Sequence, residues 1–127
     1  MGAALSMHGK VVLIVEDDPS TAAALADIIR LAGHEPVVAV NGQEALDILN
    51  AGEVEICLVV LDLMMPVMDG WELRKRMVAD PRLASLPVIV VTADANARKR
   101  AEQAQAVQFL TKPIEPSVLL ETIDQHC

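Results

Sequence analysis

Four groups of residues in this 127-residue chain could do chemistry, and each follows directly on a short apolar run. Glu16, Asp17 and Asp18 follow Val11 to Val15; Asp62 follows Ile56 to Leu61; Thr92 and Ala93 follow Val88 to Val91; Thr111, Lys112 and Pro113 follow Val107 to Leu110. Carboxylates brought close together repel one another and shift each other's protonation unless a cation neutralises them. An oxygen-only ligand set favours a hard ion, and Mg2+ takes one or two carboxylates while keeping several waters. A magnesium site is the simplest reading, with Glu16, Asp17 and Asp62 as candidate ligands and Lys112 as a fixed positive charge opposite the metal. A cation, an ammonium and the Thr92 hydroxyl around one carboxylate suit a phosphoryl group, whose oxygens carry developing charge. Asp62 would then be the nucleophile, forming an acyl phosphate.

Taken singly, each residue has a plainer reading. Asp17 or Asp18 could cap a helix, Asp62 could begin a turn, Thr92 could cap the next helix, and Lys112 could face solvent before a proline. Their joint occurrence at the ends of four apolar runs argues for a site.

The runs that must position these groups are rich in β-branched residues and lack polar alternation, the pattern of parallel strands covered on both faces. Weaker runs at Pro36 to Val40 and Val107 to Leu110 complete a set of five. Between them lie stretches with helical spacing. Asp18-Pro19 can cap and start a helix through about Leu31, ended by Gly33. Asn41 with Glu44 has the spacing of a capping box, with Gly52 as the stop. Asp69 with Glu72 repeats that spacing, with Leu73 and Met77 on one face. Asp94 opens a fourth helix to about Gln105, and Pro116 a fifth. Strict β-α alternation implies a parallel sheet with right-handed crossovers and helices on both faces. Ligands of such α/β sheets bind outside the carboxyl ends of the strands, where the candidate residues fall.

The remaining composition narrows the function. The chain is 53% hydrophobic and 22% charged, which excludes intrinsic disorder and fits one domain. One Trp and one Phe leave an aliphatic core. A net charge of -8 disfavours direct nucleic-acid binding and suits protein partners. The basic clusters Arg74-Lys75-Arg76 and Arg98-Lys99-Arg100 read as solvated helix faces. Cys57 and Cys127 make no disulfide framework, and Cys57 lies in a run that looks buried, so a reducing, cytoplasmic setting is expected. His8, His34 and His126 are scattered without metal-ligand spacing, which disfavours zinc. No run is long enough to span a membrane, the start lacks the pattern of a secretory signal, and Met1 to Gly9 reads as a flexible leader before a domain over 10–127.

These residues resemble the receiver domain of two-component response regulators. The similarity rests on Val11-Val12-Leu13-Ile14-Val15-Glu16-Asp17-Asp18, on Leu61-Asp62-Leu63-Met64-Met65-Pro66-Val67-Met68-Asp69-Gly70, on Val90-Val91-Thr92-Ala93 and on Phe109-Leu110-Thr111-Lys112-Pro113, and covers about Lys10 to His126. It implies a flavodoxin-like, doubly wound (βα)5 fold resembling chemotaxis regulators. It also implies a phospho-acceptor, not an enzyme acting on other substrates, that takes a phosphoryl group from a phosphohistidine on a sensor histidine kinase or histidine phosphotransfer protein. By position, Asp62 matches the phosphorylated aspartate and Asp17 the direct Mg2+ ligand. Glu16 would act through water and Met64 through its backbone carbonyl. Thr92 matches the switch hydroxyl, with the Ala93 N–H beside it, and Lys112 the phosphoryl ion pair. The resemblance also implies a cis Lys112-Pro113 bond, which only proline makes cheap. Phe109 matches the aromatic switch position, with a plain core phenylalanine as the alternative. Phosphorylation would bias the surface of the fourth helix, fifth strand and fifth helix towards a downstream protein target. Homodimerisation on phosphorylation is among the arrangements this allows.

The chain departs from the family pattern at several places. Position 16 is Glu where Asp is commoner, Phe109 has no hydroxyl, and Gln105-Ala106-Val107-Gln108 lacks the glycine often found before the fifth strand. Met64 and Asp94 stand two residues past Asp62 and Thr92, at positions that tune acyl-phosphate hydrolysis, and an apolar Met64 predicts a long lifetime. A phosphohydrolase or phosphotransferase with an aspartyl-phosphate intermediate is the competing reading. It lacks the general acid such enzymes carry two residues after the nucleophile. A degenerate receiver that only binds partners is a third reading, opposed by the intact acid set. A free-standing regulator, a module of a hybrid kinase and the N-terminal half of a transcription factor all fit the sequence.

Overall fold

The computed structural model describes residues 11–63, 67–93, 102 and 105–127. Nine elements lie in them: β1 (Val11–Val15), α1 (Pro19–Leu31), β2 (Glu35–Ala39), α2 (Gly42–Ala51), β3 (Ile56–Asp62), α3 (Gly70–Ala79), β4 (Val88–Thr92), β5 (Gln108–Thr111) and α4 (Pro116–His126). The expected leader over 1–9 and the body of the expected helix over 94–105 fall outside the described residues, so the numbering passes from α3 to α4. The strands form one parallel sheet in the order β2-β1-β3-β4-β5.

The unbroken apolar strands are covered on both faces, as their composition requires. Leu13, Val15, Val59, Leu61, Val88 and Val90 point to one side, against Leu46 and Leu49 of α2 and Leu73 and Met77 of α3. Val12, Ile14, Leu58, Val60, Ile89 and Val91 point to the other, against Leu25 and Ile29 of α1 and Leu119 and Ile123 of α4. Fully burying each such side chain is worth about 1.5–3 kcal/mol, and the pleat's period of two assigns alternate residues to each layer. The aliphatic core expected from composition is present; Trp71 and Phe109 pack only partly buried at its margin.

Helix ends follow local chemistry. Thr21 donates its backbone N–H to Asp18 Oδ2 at 3.0 Å and its hydroxyl to the same oxygen at 2.5 Å, while Pro19 occupies the first turn, where its missing N–H costs nothing. Asn41 Oδ1 accepts from the Glu44 N–H at 2.8 Å. The returning bond of the capping box is shifted by one residue, because Glu44 Oε1 accepts from the Val40 N–H at 3.3 Å. Asp69 caps α3 through the Glu72 N–H at 3.0 Å. Gly52 closes α2 in the left-handed conformation, which costs a residue without Cβ nothing.

Several expectations are corrected. β3 and β4 each run one residue past their apolar stretch, because Asp62 still pairs with Val91 and Thr92 with Thr111. β2 begins at Glu35 and ends at Ala39, its register with β1 fixed by Val11 opposite Glu35. Pro36 is tolerated because β2 is an edge strand. Arg74 belongs to no solvated face: it is 5% exposed, on the flank of α3 that carries Leu73 and Met77, and burial lowers its pKa. Lys75 and Arg76 do face solvent, with Arg76 2.9 Å from Glu72. Cys57 and Cys127 are disulfide-bonded, Cα atoms 5.5 Å apart, across 70 residues of sequence. The pairing arises because α4 packs back over the sheet and returns Cys127 to the amino end of β3. No helix among the described residues is long and apolar enough to cross a membrane.

Candidate functional site

The register of the sheet assembles the site. Val15 pairs with Leu61, so Glu16 emerges beside Asp62; Asp62 pairs with Val91, one residue before Thr92; Thr92 pairs with Thr111, one residue before Lys112. The Lys112 N–H donates to the Thr92 carbonyl at 2.8 Å, fixing the start of the β5–α4 turn, and the Lys112-Pro113 bond that follows is cis, as expected.

Glu16 and Thr92 are each 1% exposed and Asp62 5%, whereas Asp17 and Asp18 face solvent. The Lys112 ammonium donates to Glu16 Oε1 at 2.6 Å and to Asp62 Oδ2 at 3.3 Å. Glu16 Oε2 accepts from the Asp18 N–H at 3.2 Å. Burial pushes the Glu16 carboxyl up to about 7; Lys112 opposes that push and the neighbouring Asp62 carboxylate adds to it. Burial works to lower the Lys112 ammonium, but the two carboxylates outweigh it and hold its pKa above the usual value. Both groups therefore grip their protons, the signature of acids crowded around one cation.

Ligand oxygens of Glu16, Asp17 and Asp62 lie within 4.8 Å of one another, two from buried residues and one from an exposed residue. The all-oxygen donor set, with more negative charge than one lysine balances, fits a hard divalent cation. The exposed Asp17 leaves a side open to water, which Mg2+ retains.

The loop that carries the chain from β3 to α3 is held by two glycines. Gly42 donates its N–H to the Met68 carbonyl at 2.8 Å and Gly70 to the Leu63 carbonyl at 3.2 Å. A Cβ on Gly42 would lie 2.5 Å from the Met68 oxygen, and one on Gly70 2.6 Å from the Asp62 oxygen. A side chain at either position would collide with backbone, so Gly70 backs Asp62 directly and Gly42 holds Met68, two residues before Gly70 in the chain towards α3. Neither was singled out as a site residue by sequence reasoning; the Asp69-Gly70 pair at the helix start was the available signal.

The structure thus brings together Glu16, Asp17, Asp62 and Lys112, and sets Thr92 one register step from Asp62. Ala93 lies just beyond β4 and is exposed. Phe109 pairs with Val90 and is partly buried against the layer holding α2 and α3. Met64 and Asp94 lie outside the described residues. Gln105 adopts φ 57 where the chain lacks glycine before β5.

The response regulator receiver domain family matches residues 12–124. The polar-differentiation response regulator DivK of Brucella anthropi is 34% identical over 119 residues, covering 92% of this chain and 95% of its own. A putative response regulator from Chloroflexus aurantiacus has a crystal structure that superposes with a TM-score of 0.85 at 31% identity, covering 92% of this chain and 96% of that one. The response regulator TrrA of Thermotoga maritima, solved in complex with Mg(2+)-BeF, superposes with a TM-score of 0.82 at 26% identity over 93% of this chain and 99% of its own.

Proposed function

This chain belongs to the response regulator receiver domain family of two-component signalling, and from that premise we propose that Asp62 accepts a phosphoryl group in an Mg2+-dependent reaction. The observation that carries the proposal is the convergence of buried Glu16 and Asp62 on Lys112 at the carboxyl ends of three strands, with Lys112 Nζ 3.3 Å from Asp62.

An Asp62 oxygen attacks the phosphorus of a phosphohistidine. The new P–O bond forms as the P–N bond breaks, and the imidazole departs with the electron pair and takes a proton. Glu16, Asp17 and Asp62 would hold the cation, with Met64 as a further candidate through its carbonyl. When bound, the cation neutralises phosphoryl oxygens. Lys112, already tethered to Glu16, supplies a second positive charge with little reorganisation. The Thr92 hydroxyl and Ala93 N–H are the remaining donors for the transferred group. Thr92 turning towards it vacates space for Phe109, and the altered surface of β5, α4 and the 94–105 segment meets a downstream protein. The donor is a sensor histidine kinase or a histidine phosphotransfer protein. Phosphohistidine is made from a nucleoside triphosphate, which places the exchange in the cytoplasm.

Incubation with a small-molecule phosphodonor, read by intact mass, tests this. The expected result is an Mg2+-dependent, acid-stable and base-labile phosphoryl adduct on the wild-type chain and none on Asp62→Asn. Absence of the adduct while Mg2+ still binds would leave a partner-binding module without the chemistry.

A further inference from the structure

A second cluster lies at the opposite end of the strands, where β2 and β3 begin. Cys57 is the second residue of β3, five positions before Asp62 and hence roughly 16 Å away along the strand. Cys127 caps α4 and is disulfide-bonded to it. His34 stands just before β2, delivered there by Gly33, whose φ of 85 turns the chain out of α1. Val11 pairs with both Glu35 and Ile56, so the starts of β2 and β3 flank the start of β1 and bring His34 towards Cys57. One ligand atom from each of His34, Cys57 and Cys127 lies within 4.8 Å of the others, and all three residues are partly exposed. Separations of 23 and 70 residues hid this group from any motif search.

We propose that His34, Cys57 and Cys127 form a binding site for a soft divalent cation of the Zn2+ class when the Cys57–Cys127 disulfide is reduced. Zinc accepts thiolate sulfur at about 2.3 Å and imidazole nitrogen at about 2.0–2.1 Å, so tetrahedral ligands stand about 3.4–3.8 Å from one another. The three donors already lie within 4.8 Å of one another, so once the S–S bond opens the sulfurs need only part and the imidazole close in by about 1 Å. Partial exposure leaves the fourth position to water. The ligand chemistry separates this site from the acidic one, since sulfur and nitrogen select a borderline-soft ion and carboxylates a hard one. The reducing conditions that the proposed cytoplasmic setting supplies would hold the cysteines as thiols.

The chemistry balances. A phosphine reductant takes one disulfide and one water to two thiols and a phosphine oxide. The cation then displaces two thiol protons and binds the neutral imidazole through its lone pair. The same three residues therefore hold either a covalent bond or a metal, never both.

Co2+ added to the phosphine-reduced full chain tests the site. With the acidic site filled by excess Mg2+, the expected result is one equivalent bound with a sulfur-to-cobalt charge-transfer band and intense tetrahedral d–d absorption, both discharged by one equivalent of Zn2+ and absent from the oxidised protein. His34→Ala should weaken Co2+ binding about tenfold or more, in the range ligand-environment changes produce. Cys127→Ser, beyond the last turn of α4, should remove the band with the circular dichroism of the fold intact. Asp17→Asn, at the carboxyl ends of the strands, should leave it unchanged. No charge-transfer band in the reduced wild-type chain, or a band whose strength and affinity survive His34→Ala, would overturn the proposal.

Discussion

Lys112 lies closer to Glu16 than to Asp62: its ammonium is 2.6 Å from Glu16 Oε1, 96 residues earlier in the chain, and 3.3 Å from Asp62 Oδ2. The lysine of the site is thus anchored by a carboxylate that is not the proposed phospho-acceptor. Asp62 meets it over a longer bond, which leaves the ammonium able to lean towards an incoming phosphoryl oxygen without giving up its anchor. Glu at position 16, with one methylene more than Asp, reaches across to Lys112 while its other oxygen accepts from the Asp18 N–H.

Removing that ammonium leaves two buried carboxylates facing each other. Lys112→Ala should lower stability by about 2–3 kcal/mol in the absence of divalent cation, measured by urea denaturation at neutral pH. The double variant with Glu16→Gln should lose less than the sum of the two single losses, since one partner's removal relieves the other's strandedness.

Gly70→Ala would press a methyl group onto the backbone of Asp62. A loss of about 1–3 kcal/mol is expected, the usual cost of overpacking, together with slower phosphoryl uptake at Asp62. Thermal denaturation and the rate of mass gain check the two effects separately. An unchanged uptake rate would show that the β3–α3 connection yields without moving Asp62.

Val67 holds φ 69 while 85% exposed, a left-handed conformation in which a β-branched side chain clashes with its own backbone. Relief of about 1–2 kcal/mol, less the extra freedom glycine has when unfolded, gives a net gain of about 0.5–1 kcal/mol for Val67→Gly. The urea midpoint should rise.

Asp80, beyond α3, accepts from the Arg82 backbone at 3.0 Å and from its guanidinium at 2.7 Å, and these bonds hold its carboxyl below the ordinary value of 3.8. A lowered folded-state pKa contributes stability above the unfolded pKa and loses it as pH falls through the folded one. Wild type should therefore exceed Asp80→Asn in denaturant midpoint at neutral pH, with the gap closing below about pH 4. Added salt should narrow the gap as well, because the pair is at the surface.

The sheet was legible where one physical demand dominated. Val11–Val15, Ile56–Leu61 and Val88–Val91 admit only strands covered twice, and the capping residues Asp18, Asn41 and Asp69 each stand where a helix begins. Strand ends were less legible, because the ladder continues through polar Asp62 and Thr92 when register supplies a partner. Asp62 and Lys112 could be named from their places after the runs, yet the sharing of Lys112 between Glu16 and Asp62 comes from register across β1, β3, β4 and β5, which no local pattern encodes. Arg74 reads as polar in any composition, yet it is buried on α3 beside Leu73 and Met77. The Cys57–Cys127 bond depends on how α4 lies on the sheet, and the sequence pattern carries no information about that angle.

Lys112 and the strand before it follow Asp62 by some 50 residues, and this gives synthesis a direction. At roughly 5–20 residues per second, the 50 residues between Asp62 and Lys112 take roughly 3–10 seconds to appear. Through that interval a growing chain carries the acids of β1 and β3 without the ammonium that balances them. A nascent chain therefore holds the proposed acceptor Asp62 without its counter-charge until β5 docks beside β4.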